Sequence, residues 1–168
     1  MNLTLTQKER TLLEDQKNHE NICIKKYNSY ANQAQDPELK QMFQTYAQQE
    51  QQHLNTINQM LNGQVPAMQQ NQQQQQQGQQ QQMQQQQQSR QGQQQNQQFA
   101  GMVNSSDADL CTDMLMTEKY VSSAYNTAVF EFVDTNARQA LNHIQKEEQQ
   151  HGEGIFNYMK KKGLYQMQ

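Results

Sequence analysis

Gln49-Glu50-Gln51-Gln52-His53 decides how this chain is read, because it returns ninety-eight residues later as Glu147-Glu148-Gln149-Gln150-His151. A Glu and a His three apart on a helix share one face, so both can reach one metal ion. One such pair arises easily by chance, but here the register repeats as well. Glu20 precedes Glu50 by thirty residues, and Glu118 precedes Glu148 by thirty. Four carboxylates and two imidazoles, drawn from four segments, form the donor set of a di-iron or di-manganese helix bundle.

Hydrophobic periodicity places all six residues on helices. Thr6 and Glu9 form a capping box that predicts a helix from about residue 7 to 34. Its stripe runs Leu13, Gln16, Glu20, Cys23, Tyr27, Tyr30, Ala34, in steps of three and four that keep one face. Asp36-Pro37 ends this helix and opens the next, since Asp is a good N-cap and Pro is tolerated at the first helical position. The second stripe is Leu39, Phe43, Tyr46, Glu50, His53, Ile57, Met60, with Asn62-Gly63 as the stop. A connection this short forces an antiparallel hairpin.

The second half repeats the pattern. Ser106 and Asp109 cap a third helix whose stripe is Cys111, Met114, Glu118, Val121, Tyr125, Ala128, Phe132. Val133-Asp134 makes the turn. The fourth stripe is Ala137, Leu141, Ile144, Glu148, His151, Ile155, Tyr158, closed by Lys160 to Lys162 and Gly163. The same shift of ninety-eight pairs Leu12 with Leu110, Asp15 with Asp113, Tyr27 with Tyr125 and Ile57 with Ile155. An internal duplication follows, with two hairpins packed about a pseudo-two-fold axis and the two E-x-x-H motifs face to face. Gly152 and Gly154, each costing roughly 1 kcal/mol in a helix interior, either open space for a ligand or close neighbour or mark a frayed or tightly packed turn.

Three segments result: a hairpin over 1–63, a Gln-rich linker over 64–105 and a hairpin over 106–168. From Gln69 to Gln98 glutamine dominates, without apolar periodicity and almost without charge. Such a stretch cannot bury enough apolar surface to offset its ordering entropy, so disorder is expected. Gln-rich tracts also self-associate through side-chain amides. A long second connection lets the third helix start at either end of the bundle, which permits the crossover of ferritin-like folds.

The tract dilutes the hydrophobic content to 33%, and the net charge of −3 gives no electrostatic case for nucleic acid or an anionic membrane. The first residues carry no signal-peptide pattern, and no apolar run approaches the roughly 20 residues that cross a bilayer. Cys23 and Cys111 lie on core stripes and are expected as buried thiols.

In the metal reading Glu20 and His53 bind one ion, Glu118 and His151 the other, and Glu50 and Glu148 bridge them. Oxygen-rich ligation with one imidazole per ion suits iron or manganese better than structural zinc. A metal-free hydrogen-bond network that fixes helix register is the other use for six polar core residues, and a decayed site in a duplicated scaffold is a third. His19 and His143 border the stripes, Glu14 and Asp15 could replace Glu20 only in another register, and Tyr165 is the tyrosine best placed for oxidative cross-linking.

From Asp109-Leu110-Cys111-Thr112-Asp113-Met114-Leu115-Met116-Thr117-Glu118-Lys119-Tyr120, through His143 to His151 and Asn157-Tyr158-Met159, to Lys162-Gly163-Leu164-Tyr165, the sequence resembles the Coat F family of spore coat proteins. The resemblance is best over 107–165 and reaches the first hairpin through the repeat. It implies an all-α, ferritin-like four-helix bundle in the protein shell of a bacterial spore, made in the mother-cell cytoplasm and partnered by other coat proteins. Self-association or transglutaminase cross-linking through the Gln tract, with Lys160 to Lys162 as acceptors, fits that setting. The alternative is a di-metal oxidoreductase that removes peroxide or oxidises Fe(II), so whether the chain is an enzyme stays open at this point.

Overall fold

The structure, a computed structural model, describes residues 3–65 and 106–165. The expected Gln-rich linker lies outside the described residues, apart from Gln64 and Val65. Four helices follow one another: α1 (Gln7–Gln33), α2 (Pro37–Leu61), α3 (Asp107–Glu131) and α4 (Thr135–Lys161).

The caps are where the sequence puts them. The Glu9 N–H donates to Thr6 Oγ1 at 3.2 Å while the Thr6 N–H donates to Glu9 Oε2 at 2.7 Å, a complete capping box. Asp36, Ser106 and Asp134 each accept a hydrogen bond from the first turn of the helix they open. Gly63 and Gly163 end α2 and α4 at φ of 80° and 70°, a left-handed conformation that a side chain would strain.

Contacts between the helix ends fix the topology. Asp107, at the start of α3, accepts the N–H groups of Gln35 and Asp36 at 2.9 Å each. At the same end Lys161 and Lys162, closing α4, pair with Glu38 and Asp36 at 2.8 and 2.6 Å. At the other end Glu9 Oε1 accepts the Val133 N–H at 2.9 Å, and Arg10 reaches the Leu61 carbonyl. So α2 finishes at one end of the bundle and α3 starts at the opposite end, which only a long connection allows. Glu9 and Asp107 are themselves ninety-eight residues apart, and each ties down the turn of the other hairpin.

Within each hairpin the helices pack together, and α1 also lies against α3 and α2 against α4. Leu13, Leu39, Phe43, Ile57, Met60, Leu110, Met114, Leu141 and Ile144 are almost entirely buried between them. Each such side chain contributes about 1.5–3 kcal/mol of hydrophobic stabilisation. One stripe position departs from expectation: Tyr46 is only half-buried, and Ala47 takes the inward place beside it. The four stripe glutamates all fall within a residue of their helix midpoints, so a polar layer divides the apolar core.

Candidate metal centre

The central layer contains Glu20, Glu50, His53, Glu118, Glu148 and His151, none more than 2% exposed. Their donor atoms fall into two groups that share Glu50 and Glu148. Glu20, Glu50, His53 and Glu148 offer one set of atoms within 4.8 Å of one another, and Glu50, Glu118, Glu148 and His151 offer the other.

Both imidazoles face the centre through Nδ1. His53 Nδ1 lies 2.9 Å from Glu148 Oε1 and 3.3 Å from Glu50 Oε2, and His151 Nδ1 lies 3.1 Å from Glu50 Oε1. Their outer nitrogens reach across to the opposite hairpin: His53 Nε2 to Glu147 Oε2 at 2.9 Å, and His151 Nε2 to Gln49 Oε1 at 3.0 Å. A partner on the outer nitrogen fixes the tautomer and aims the inner lone pair. Gln49 and Glu147 are again related by ninety-eight residues. Glu147 is a carboxylate and Gln49 a neutral amide, so the two imidazoles are not held alike.

Two tyrosines complete the layer. The Tyr27 hydroxyl donates to Glu118 Oε1, and the Tyr125 hydroxyl donates to Glu20 Oε1. Each crosses between α1 and α3, so the two bonds are reciprocal. Beside them Tyr46 stacks on the His151 ring at a centroid distance of 4.3 Å. An alanine methyl at Gly154 would overlap the Tyr46 hydroxyl, which explains that glycine by a close neighbour.

Without a cation the layer is electrostatically frustrated. Burial, reinforced by like charge, pushes Glu50 and Glu118 well above the usual carboxylate range and Glu148 up to about 8. Burial also pushes Glu20 up, but hydrogen bonds involving His53, Glu50 and Tyr125 outweigh it and hold Glu20 below its ordinary value. Burial disfavours charge on His53, yet the carboxylates around it raise its pKa well above normal. His151 falls to about 4, through burial and the nearby His53 charge. Burial and the glutamates together push Tyr27 and Tyr125 upward, so both remain donors.

Four carboxylate oxygens in the layer have no hydrogen-bond partner: Glu20 Oε2, Glu118 Oε2 and both oxygens of Glu148. Buried oxygens in that state cost free energy that protons or cations must offset. A hard, oxygen-rich donor set with two imidazoles fits iron or manganese.

Residues 106–168 match the family model of the Coat F domain. The second hairpin is similar to the Coat F domain throughout its length. A search among curated proteins finds no match. The matched hairpin contributes Glu118, Glu148 and His151, and the first hairpin supplies Glu20, Glu50 and His53.

Every sequence-predicted site residue is therefore in the central layer. The weaker candidates are not: Glu14 and Asp15 are exposed, and His19 and His143 lie outside the layer. Cys23 and Cys111 are buried free thiols. Sequence reasoning missed the roles of Tyr27, Tyr125, Gln49 and Glu147, although the ninety-eight-residue shift had already paired the two tyrosines. Tyr165 is 39% exposed and packs on Phe156, and Tyr120 is 64% exposed and packs on His19. Among the described residues no helix is long and apolar enough to cross a membrane.

Proposed function

We propose that the protein is a structural component of the bacterial spore coat whose ferritin-like bundle arose by duplication of one hairpin and holds two iron or manganese ions at its centre. The Coat F match supports the coat assignment. The reciprocal pairs Glu9 and Asp107, Tyr27 and Tyr125, and Gln49 and Glu147 support the duplication. The observation that carries the metal is the set of unpartnered, fully buried oxygens on Glu20, Glu118 and Glu148.

In that centre Glu20 and His53 would hold one ion and Glu118 and His151 the other, with Glu50 and Glu148 within reach of both. When bound, the ions supply Lewis acidity and positions for an exchangeable oxygen ligand. Tyr27 and Tyr125 each occupy one oxygen of a terminal glutamate and leave the other for coordination. Gln49 and Glu147 orient the imidazoles, and the apolar layers above and below exclude water.

In the coat, the Gln tract serves for self-association or for cross-linking to other coat proteins. Transglutaminase chemistry joins a glutamine carboxamide to a lysine amine with loss of ammonia. Lys161 and Lys162 are engaged with Glu38 and Asp36, and Lys160 is exposed, which favours Lys160 as acceptor. The second reading, a di-metal oxidoreductase acting on peroxide or Fe(II), is favoured by the pair of imidazole-bearing sites that share two carboxylates.

Reconstitution with Fe(II) and with Mn(II) tests the centre. The wild type takes up close to two ions per chain, and Glu50→Ala/Glu148→Ala loses both. Fewer than one ion per wild-type chain overturns the proposal. In mature spores, isopeptide-linked multimers resistant to SDS support the coat role, and complete extraction as monomer argues against cross-linking.

A further inference from the structure

The two hairpins differ on their outer flanks. Between α3 and α4 lies a cleft of about 450 Å3, lined by Leu115, Ser122, Asn126, Gln145 and Gly152, with Glu118 and Glu148 also in its wall. A shift of ninety-eight residues places Ile24 and Leu54 where the Coat F domain has Ser122 and Gly152. Leu54 is only 9% exposed, so an apolar side chain is packed away at the position that glycine leaves bare.

Gly152 is not demanded by its backbone or by crowding. A methyl there would meet Glu118 Cβ at 3.6 Å and Leu115 Cδ1 at 3.8 Å, ordinary contacts. The helix nonetheless forgoes the roughly 1 kcal/mol that alanine would contribute. Behind the wall of the cleft lie polar atoms without partners: Glu118 Oε2 and both Glu148 oxygens are unpaired, and the two residues are 1% and 0% exposed. Ser122, Asn126 and Gln145 add hydrogen-bonding groups, and Lys119 adds positive charge.

We infer that the α3–α4 cleft is a one-sided access route by which a small oxygen- or nitrogen-donor ligand, anionic or hydrogen-bonding and of peroxide size, reaches the ion held by Glu118 and His151. This inference rests on the di-metal proposal above. The two ions are then inequivalent towards solution, although their ligands are related by the repeat. The hairpin that carries the plug serves as scaffold, and the Coat F domain carries the opening.

Azide binding to the cobalt(II)-loaded protein, followed by stopped-flow absorption in the visible, tests the route. Gly152→Leu installs the side chain found at position 54, and Ser122→Ile installs the one found at position 24. Both variants should keep the wild-type cobalt stoichiometry and slow azide association at least tenfold. Should Gly152→Leu fail to fold, Ser122→Ile carries the test alone, because position 122 is only half-buried. Wild-type azide rates in a loaded variant overturn the access route and leave the metal centre standing. Failure of the wild type to take up cobalt overturns both.

Discussion

Replacing Glu148 by Gln should stabilise the metal-free protein and cripple the loaded one. Glu148 is 0% exposed, its Oε1 lies 2.9 Å from His53 Nδ1, and burial with the charge of Glu50 outweighs that contact and pushes its pKa up to about 8. The same carboxyl in the unfolded chain titrates near 4.5. Between those values the folded state holds a proton that the unfolded state has released, so stability falls as pH rises. The slope is about 1.4 kcal/mol per pH unit for one proton, which amounts to about 3 kcal/mol by pH 7. Gln cannot ionise and escapes that cost, while its amide is desolvated much as a neutral carboxyl is. A net gain of about 2 kcal/mol at pH 7 is therefore expected, fading to nothing near pH 4.5.

Urea denaturation in excess chelator reads this directly, as a midpoint about 1 M higher for Glu148→Gln at pH 7. Saturating Mn(II) should reverse the order. An ion at one hundred times its dissociation constant adds about 2.7 kcal/mol to the wild type, and the variant lacks a bridging ligand. A Glu148→Gln protein less stable than wild type at pH 7 in chelator would refute the reasoning, as would a difference that ignores pH.

Tyr27→Phe and Tyr125→Phe each strip a donor from a buried glutamate and should destabilise the chelated protein by about 1–3 kcal/mol; equal, near-zero effects would deny the reciprocal bonds a role. Gly154→Ala gains about 1 kcal/mol of helix propensity but expels Tyr46 from its place on His151, so a net loss is expected, and the added change Tyr46→Ala should restore the gain. Denaturation of the two variants side by side decides it, because propensity alone predicts that Gly154→Ala is the more stable protein.

Much of this was legible in the residues. The stripes put Glu20, Glu50, Glu118 and Glu148 at core positions, and side chains three apart had to share a face with His53 and His151. Caps at Thr6, Asp36, Ser106 and Asp134 are local chemistry and needed no tertiary knowledge. What could not be read depends on which helix faces which. Tyr27 and Tyr125 look like ordinary core aromatics until α1 is known to lie against α3. Gln49 and Glu147 sit beside the stripe, and only the packing of α2 on α4 lets them reach the opposite imidazoles. The two glycines of α4 posed one question and received two answers, since Gly154 makes room for Tyr46 and Gly152 borders the cleft. Tyr46 strayed from its stripe because its ring lies over His151 at the edge of the layer instead of in the core.

Anomalous diffraction from crystals soaked in Mn(II) tests the central claim most directly. Two peaks are predicted in the bundle centre, one enclosed by Glu20, Glu50, His53 and Glu148, the other by Glu50, Glu118, Glu148 and His151. A centre without anomalous density, in crystals that bind manganese elsewhere, would contradict it.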